Sequence, residues 1–282
     1  MSNAKRQRYT RLFFTYLILF IVMAAIIYPL LWTVGASFNP GNSLVSTTLI
    51  PENPTLDHYR ELFEGRKNLP YVQWYMNSMK ISFFTMILTA ISVSFTGYAF
   101  SRFRFKGRKN GLTLFLLLQM IPQFSALIAL YVLAQMLGLM NSHWLLIVLY
   151  TGGQIPMNTY LMKGYMDSIA IDLDESARMD GAGPTRIFFQ IIMPLAKPMI
   201  AVVAMNGFTG PLGDFVLSSV ILRNTESYTL PIGLFNLVND VQGGSYTTFA
   251  AGAILISIPV AIIFVLLQKN FVAGLTAGGT KG

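Results

Sequence analysis

The residues best placed to do chemistry fall in one stretch, Asp172–Pro198. It carries Asp172, Asp174, Glu175, Arg178, Asp180, Arg186 and Lys197, punctuated by Gly181, Gly183, Pro184, Pro194 and Pro198. Catalysis is not what this set offers. Cysteine is absent, and the two histidines, His58 and His143, are too far apart to form a ligand-spaced pair. His58 beside Glu61 and Glu64 is the one metal-like grouping, and it lacks further ligands. No G-x-x-x-x-G-K-[ST] occurs, so the chain carries no phosphate-cradling loop of that kind. Neither a cofactor nor a metal is expected. The chemistry the stretch suits is contact: Ser176, Ala177, Gly181, Ala182 and Gly183 form a small-residue tip that lets a partner's backbone approach closely.

A second set consists of polar side chains inside apolar runs. Gln119, Gln123, Gln154 and Asn158 lie near Pro122 and Pro156, while Asn206 and Asp214 bracket a glycine- and proline-interrupted segment. Amides in hydrocarbon either pair across helices or face a water-lined cavity. Amides also suit hydroxyl-rich ligands, so a sugar pathway and plain interhelical bonding both stand as readings. Asp214 has two readings as well. An intramembrane carboxylate is a functional suspect, but it could equally bind the N-terminus of a neighbouring helix or a partner subunit.

The elements that must position these residues are membrane helices. Of the 282 residues, 54% are hydrophobic and 11% charged, which excludes an ordinary soluble domain. Leu12–Pro51 runs 40 residues without Asp, Glu, Lys or Arg, Ile81–Ser101 runs 21, Asn110–Met162 runs 53 and Val241–Gln268 runs 28. A span needs about 20 apolar residues, so these intervals supply five helices. Pro198–Leu222, interrupted only by Asp214, is a sixth. The basic N-terminus before Leu12 resembles a signal peptide, but the apolar run is too long for one and is expected to be retained.

Fifteen of the twenty Lys and Arg residues fall on one side if the N-terminus is cytoplasmic. The positive-inside rule therefore predicts both termini inside. The net charge of +8 reflects orientation rather than nucleic-acid binding, because the basic residues sit between spans and form no single face. Arg102–Lys109, with aromatic and basic residues alternating, is expected to anchor a short cytoplasmic loop against anionic lipid. Leu56–Phe63 is expected to form a short amphipathic helix on the outer surface.

The predicted organisation is an all-α, polytopic membrane protein with six spans. Residues 1–36 hold the N-terminus and first span, 37–76 an external loop, and 77–270 the remaining spans. Residues 164–197 form a cytoplasmic loop and 271–282 a cytoplasmic tail. Within the loop, Asp172 and Glu175 make a D-x-x-E pair, predicting an N-cap at Asp172 and a helix over Leu173–Met179 that stops at Gly181. Gly183-Pro184 restarts the chain with proline at the first helical position. Ile187, Phe188, Ile191 and Ile192 share a face of the second helix, which Pro194 and Pro198 end. Asn206–Asp214 is expected to break or kink the fifth span.

Those residues carry a family resemblance. Glu175-Ser176-Ala177, three residues, Gly181, nine residues, Ile191, then Met193-Pro194 resembles the EAA loop of bacterial ABC importer permeases, with Ser176 and Met193 as mild departures. Gly274–Gly282, GNSLVSTTLIPENPTLDHY after the first span and SYTLPIGL at Ser227–Leu234 are similar to the second, shorter permease subunit of the maltose type. Gly210–Phe215 followed by Ile221-Leu222-Arg223 resembles the maltodextrin and galactan-oligosaccharide branch, with the galactan-oligosaccharide permeases the nearer. Nearly the whole chain is covered.

The resemblance implies an ABC importer type-1 permease fold in the cell membrane and a subunit that is not an enzyme. It implies as partners a second permease, two cytoplasmic ATP-binding subunits, an extracytoplasmic sugar-binding protein and an oligosaccharide, of galactan or maltodextrin type. By the same resemblance Glu175, Ser176, Ala177, Asp180, Gly181, Ile191 and Pro194 would dock on the ATPase, and Gly278, Gly279 and Lys281 would contact it from the tail. Gln119, Gln123, Asn158, Asn206 and Asp214 would line the sugar pathway. An ion-coupled secondary transporter is the alternative from another class, for which Asp214 is the only carboxylate inside a span. A structural scaffold is the third and accounts for less.

Overall fold

Arg11 is the last charge before the first apolar run, and Asn3–Ser37 forms one helix, α1, with Pro29 inside it. Its 35 residues rise about 50 Å, more than the roughly 30 Å of bilayer hydrocarbon. Most of its large apolar side chains are exposed, so lipid or another chain must cover them. The computed structural model describes the backbone of residues 3–42, 49–64, 69–239 and 245–279. Every regular element among them is helical. The expected tail contact Lys281 lies outside the described residues, as does the side chain of Gln123.

Asp57–Glu64 forms α2, the predicted amphipathic helix, with His58 and Leu62 buried. Next come α3 (Tyr71–Arg102), α4 (Arg108–Leu118), α5 (Gln123–Met136) and α6 (His143–Asp167). The expectation that the four uncharged intervals hold five helices is corrected here, because Asn110–Met162 alone contains most of α4, all of α5 and most of α6. The helix stops at Leu118 and restarts at Gln123, because Pro122 takes an extended conformation (φ −60°, ψ 120°) and cannot donate to the ladder. Ser142 caps α6 through its hydroxyl, which accepts from Leu145 N–H at 3.3 Å.

The loop expected over residues 164–197 supplies α7 (Asp172–Met179), α8 (Pro184–Ile187), a π turn (Phe188–Ile192) and α9 (Met193–Leu195). Then follow α10 (Lys197–Gly213), α11 (Val216–Ile221), α12 (Leu230–Val238) and α13 (Tyr246–Gly279), with Gly278 and Gly279 in the last turn of α13. The break expected in the fifth span falls at Asp214-Phe215, between α10 and α11. By length and composition, three described stretches can cross a membrane: Gln7–Ser37, Tyr71–Arg102 and Tyr246–Asn270. Pro184–Leu195 and Lys197–Gly213, bent by 79°, add a fourth if they form one span.

Two compact units are present, Met1–Leu69 with Leu234–Leu255, and Pro70–Gly233 with Ile256–Gly282. The first is organised around His58. Its Nε2 meets the Asn39 carbonyl at 2.8 Å and its Nδ1 the Thr248 hydroxyl at 3.1 Å. Thr247 Oγ1 donates to the Gly41 carbonyl at 2.6 Å, and the Ser37 and Tyr59 hydroxyls meet at 2.8 Å. The imidazole therefore ties the end of α1 and the start of α13 to α2.

The second unit is built on α3, which packs against α6 and α10. Ser78, Ser82, Thr85, Thr89, Val93, Gly97 and Ser101 are buried along it, a stripe at helical spacing whose small side chains admit close helix approach. One core joins Ile81, Ala134, Leu146, Ile147, Ile221 and Ile232. Another joins Tyr98, Met162, Met166 and Val203 to Ala177, Ile187, Phe188 and Ile192 of the loop.

Candidate functional site: coupling loop and polar groove

One side of the loop packs into a core. Ile187 and Ile192 are fully buried, and the Phe188 ring lies 5.0 Å from Phe95 and 4.9 Å from Tyr98. The π turn puts Ile187, Phe188 and Ile192 on the inner side. Met193 N–H bonds back to the Phe188 carbonyl, and Pro194, with no N–H, leaves the preceding turn free to widen. The helix runs through Pro194 to Leu195 rather than ending there.

The N-cap expectation at Asp172 is also corrected. Asp172 is already helical, Ile171 holds the cap position, and no side chain caps it. Asp172, Asp174 and Glu175 sit in the first turn, where carboxylates complement the helix dipole. The predicted stop at Gly181 is a Schellman closure: Ala182 N–H bonds to the Ala177 carbonyl at 2.9 Å and Gly181 N–H to Arg178 at 3.0 Å. Gly181 has φ +81°, the left-handed conformation that glycine adopts without strain. Of the expected docking residues, Glu175, Ser176, Asp180, Gly181 and Pro194 are exposed, Ala177 is buried and Ile191 half-buried against the core. Met179, 89% exposed, extends the outward face with Ile171 and Leu173.

Beneath that face the lipid-anchor expectation for Arg102 is overturned. Its guanidinium pairs with Asp174 at 2.8 Å, the two side chains only 4% and 1% exposed. Nη2 donates to the Ile169 carbonyl at 2.9 Å and Nη1 to Ser101 Oγ at 3.3 Å. Ser101 Oγ donates to Asp167 at 2.7 Å, and Lys163 bonds the other Asp167 oxygen. Burial acts to raise the Asp167 carboxyl, but the hydrogen bonds from Lys163 and Ser101 outweigh it and hold the group below the usual carboxylate range. Arg108 binds the Phe100 and Ser101 carbonyls at 2.7 and 3.1 Å. Of the basic residues in this segment, Arg104, Lys106 and Lys109 remain exposed.

The amides converge elsewhere in the second unit. Asn206 Nδ2 donates to Asn158 Oδ1 at 3.1 Å, Asn158 Nδ2 to the Gln154 carbonyl at 2.9 Å, and Gln119 Nε2 to the Gly153 carbonyl at 3.1 Å. Together with Thr209 and Gly210 they line a cavity of about 400 Å³. A second cavity, of about 380 Å³, shares Gly153, Gln154 and Gly210 with it and reaches Tyr150 and Asp214. Gln154 Oε1 is buried there without a hydrogen-bond partner among the described residues. Gly210 sits at the junction, where an added Cβ would stand 2.9 Å from Gln154 Nε2 and displace that amide.

Asp214 serves the helix-terminus role. Its Oδ2 accepts from Ser218 N–H at 3.0 Å and from the Tyr150 hydroxyl at 2.6 Å, and its Oδ1 from Leu217 N–H at 3.4 Å. Asp214→Ala is therefore expected to cost about 0.5–2 kcal/mol, the range for losing a helix cap. Asp214→Asn, which still accepts, should cost less. Thermal unfolding of the purified protein reads the difference, and equal losses in the two variants would refute the capping role.

Residues 94–276 match the family model described as "Binding-protein-dependent transport system inner membrane component". The chain belongs to that family. This permease is 76% identical over 282 residues, covering all of both chains, to the galactooligosaccharides transport system permease protein GanQ of Bacillus subtilis (strain 168). It is 45% identical to the maltodextrin transport system permease protein MdxG of the same organism, across 99% of this chain and 100% of that one. Among solved structures, a bacterial ABC transporter involved in the import of the acidic polysaccharide alginate superposes with a TM-score of 0.76. It is 22% identical, over 96% of this chain and 99% of that one, and so shares the importer permease fold. The chain is a transport component of the membrane, not an enzyme.

Sequence reasoning found the loop and the amides but missed Arg102–Asp174, Tyr150 and the α3 stripe. The stripe alone had a readable signal, hydroxyl residues at three- and four-residue intervals inside an apolar run.

Proposed function

We propose that this permease carries galactooligosaccharides across the cell membrane as one half of a two-permease channel. Two cytoplasmic ATP-binding subunits power it, and an extracytoplasmic binding protein delivers the sugar. The single observation that carries this reading is the 76% identity to a galactooligosaccharide permease over the full length of both chains. The geometry supports it in two ways. The outward face of α7, with Glu175, Ser176 and Met179 exposed, suits insertion into a groove of an ATPase. The amides of Gln119, Asn158 and Asn206, which line one cavity, suit hydroxyl-rich cargo, and Gln123, Asp214 and the tail residues Gly278, Gly279 and Lys281 complete the proposed contacts.

Six spans with both termini in the cytoplasm fit this role. α4–α5 and α6 would cross as the third and fourth spans, their breaks and amides sheltered by protein rather than facing lipid. ATP-driven closure of the ATPases would move the loop and rock the spans between inward-open and outward-open states. Against the ion-coupled alternative, the Asp214 oxygens already accept hydrogen bonds from Tyr150, Leu217 and Ser218.

Uptake of labelled galactooligosaccharides and maltodextrins by cells lacking this chain, with and without it restored, tests the proposal. Galactooligosaccharide uptake should depend on the chain, and restoring it with Asn158→Leu or Asn206→Leu should raise KM several-fold with normal membrane levels. Loss of maltodextrin uptake alone would reassign the cargo. Unchanged uptake of both would sink the proposal.

A further inference from the structure

The loop is covalently joined to α6 and α10, but not to α3, the helix on which both of them pack. Any movement of the loop reaches α3 only through non-covalent contacts. Most of these are apolar, such as Phe188 against Phe95 and Tyr98. Apolar contacts are non-directional and let surfaces slide. Arg102 and Asp174 are different.

We propose that the Arg102–Asp174 pair is a positioning strut through which movement of α7 is transmitted to α3. The inference rests on the reading that α7 docks on the ATPase. Arg102 is the last residue of α3, and its guanidinium holds the loop at two points, the Asp174 carboxylate at 2.8 Å and the Ile169 carbonyl at 2.9 Å. The two contacts lie on different nitrogens of one planar fork, Nε and Nη2, so together they restrain its orientation as well as its distance from the loop. Asp174 directly precedes Glu175, and consecutive helical residues point about 100° apart. One side chain is therefore buried toward α3 while the next is exposed to a partner. A displacement of α7 must carry the end of α3 with it or break a buried ion pair. Stability alone does not account for the arrangement, since well-packed apolar pairs commonly replace buried ion pairs without loss.

The test uses the whole assembly in proteoliposomes, both permeases with their ATPases and binding protein, and reads radiolabelled galactotriose moved per ATP hydrolysed. Arg102→Met with Asp174→Leu removes the charges and keeps volume. Sugar moved per ATP should fall about tenfold, within the usual range of an allosteric coupling, while assembly and binding-protein-stimulated hydrolysis persist. Arg102→Lys keeps the charge but not the fork, so its ratio should be intermediate; it decides the matter if the double variant does not assemble.

A wild-type ratio in the double variant, or in Arg102→Lys where that variant decides, overturns the strut. Glu175→Lys is the control for the underlying reading. Normal transport by it removes the docking role and the strut with it. Abolished transport by it, beside a wild-type ratio in the strut variants, removes the strut alone.

Discussion

Glu175→Lys is expected to abolish oligosaccharide uptake, by at least about a hundredfold, while the protein reaches the membrane in normal amounts. The side chain is exposed on α7, and exposed substitutions away from special features usually change stability by no more than about 0.5 kcal/mol. The effect must therefore act through whatever the exposed face meets. Reversing a charge at a docking surface costs several kcal/mol when the partner's potential is complementary, enough for a loss of that size.

Gly181→Val should be nearly as severe for a different reason. At φ +81° a β-branched residue pays about 1–2 kcal/mol for the left-handed conformation, so the Schellman turn that orients α7 against α8 opens. Uptake measured beside membrane-protein level separates the two variants from misfolding. Near-normal uptake by Glu175→Lys would remove the docking role.

The second large effect concerns packing. Gly207 of α10 lies against the backbone of α3, where an added Cβ would stand 2.8 Å from Met86 Cα and 3.4 Å from Met86 N. Backbone atoms cannot rotate away, so a larger residue must push the helices apart. Overpacking of this kind costs about 1–3 kcal/mol. Inside a bilayer close packing is itself a main force between helices, so Gly207→Leu should lie at the upper end or prevent folding. Gly213→Ala, whose Cβ would meet nothing within 4 Å, is the control at the other end of the same helix. Thermal unfolding in detergent compares them, and equal melting temperatures would refute the close-approach argument. Gly97 marks a separate close approach, of α3 to α6, with Met162 Cβ 2.9 Å from an added Cβ.

Much of the loop was legible in the sequence because it is written in backbone chemistry. Gly181 must close a helix that proline restarts at Pro184, and both follow from dihedral preferences of single residues. The same holds for the break near Asp214 and for α2, whose amphipathic period is local. The N-cap at Asp172 failed because Ile171 entered the cap position, a one-residue shift that spacing cannot resolve. The helix count for Asn110–Met162 failed because an apolar run reports burial in lipid, not unbroken hydrogen bonding across Pro122.

By itself, the sequence determined that this is an all-helical membrane chain with a motif-bearing loop and amides within its apolar runs, because hydropathy, charge placement and turn residues act over a few positions. The tertiary structure decided which of these polar groups meet. Arg102 turned from a lipid anchor into the buried partner of Asp174, 72 residues on. Asp214, 64 residues from Tyr150, came to cap α11 with that tyrosine's hydroxyl attached. Gln119, Asn158 and Asn206 came to line one cavity. The physical reason is common to all three: a buried charge or amide is stable only with a partner, and for these residues packing of separate helices supplies one.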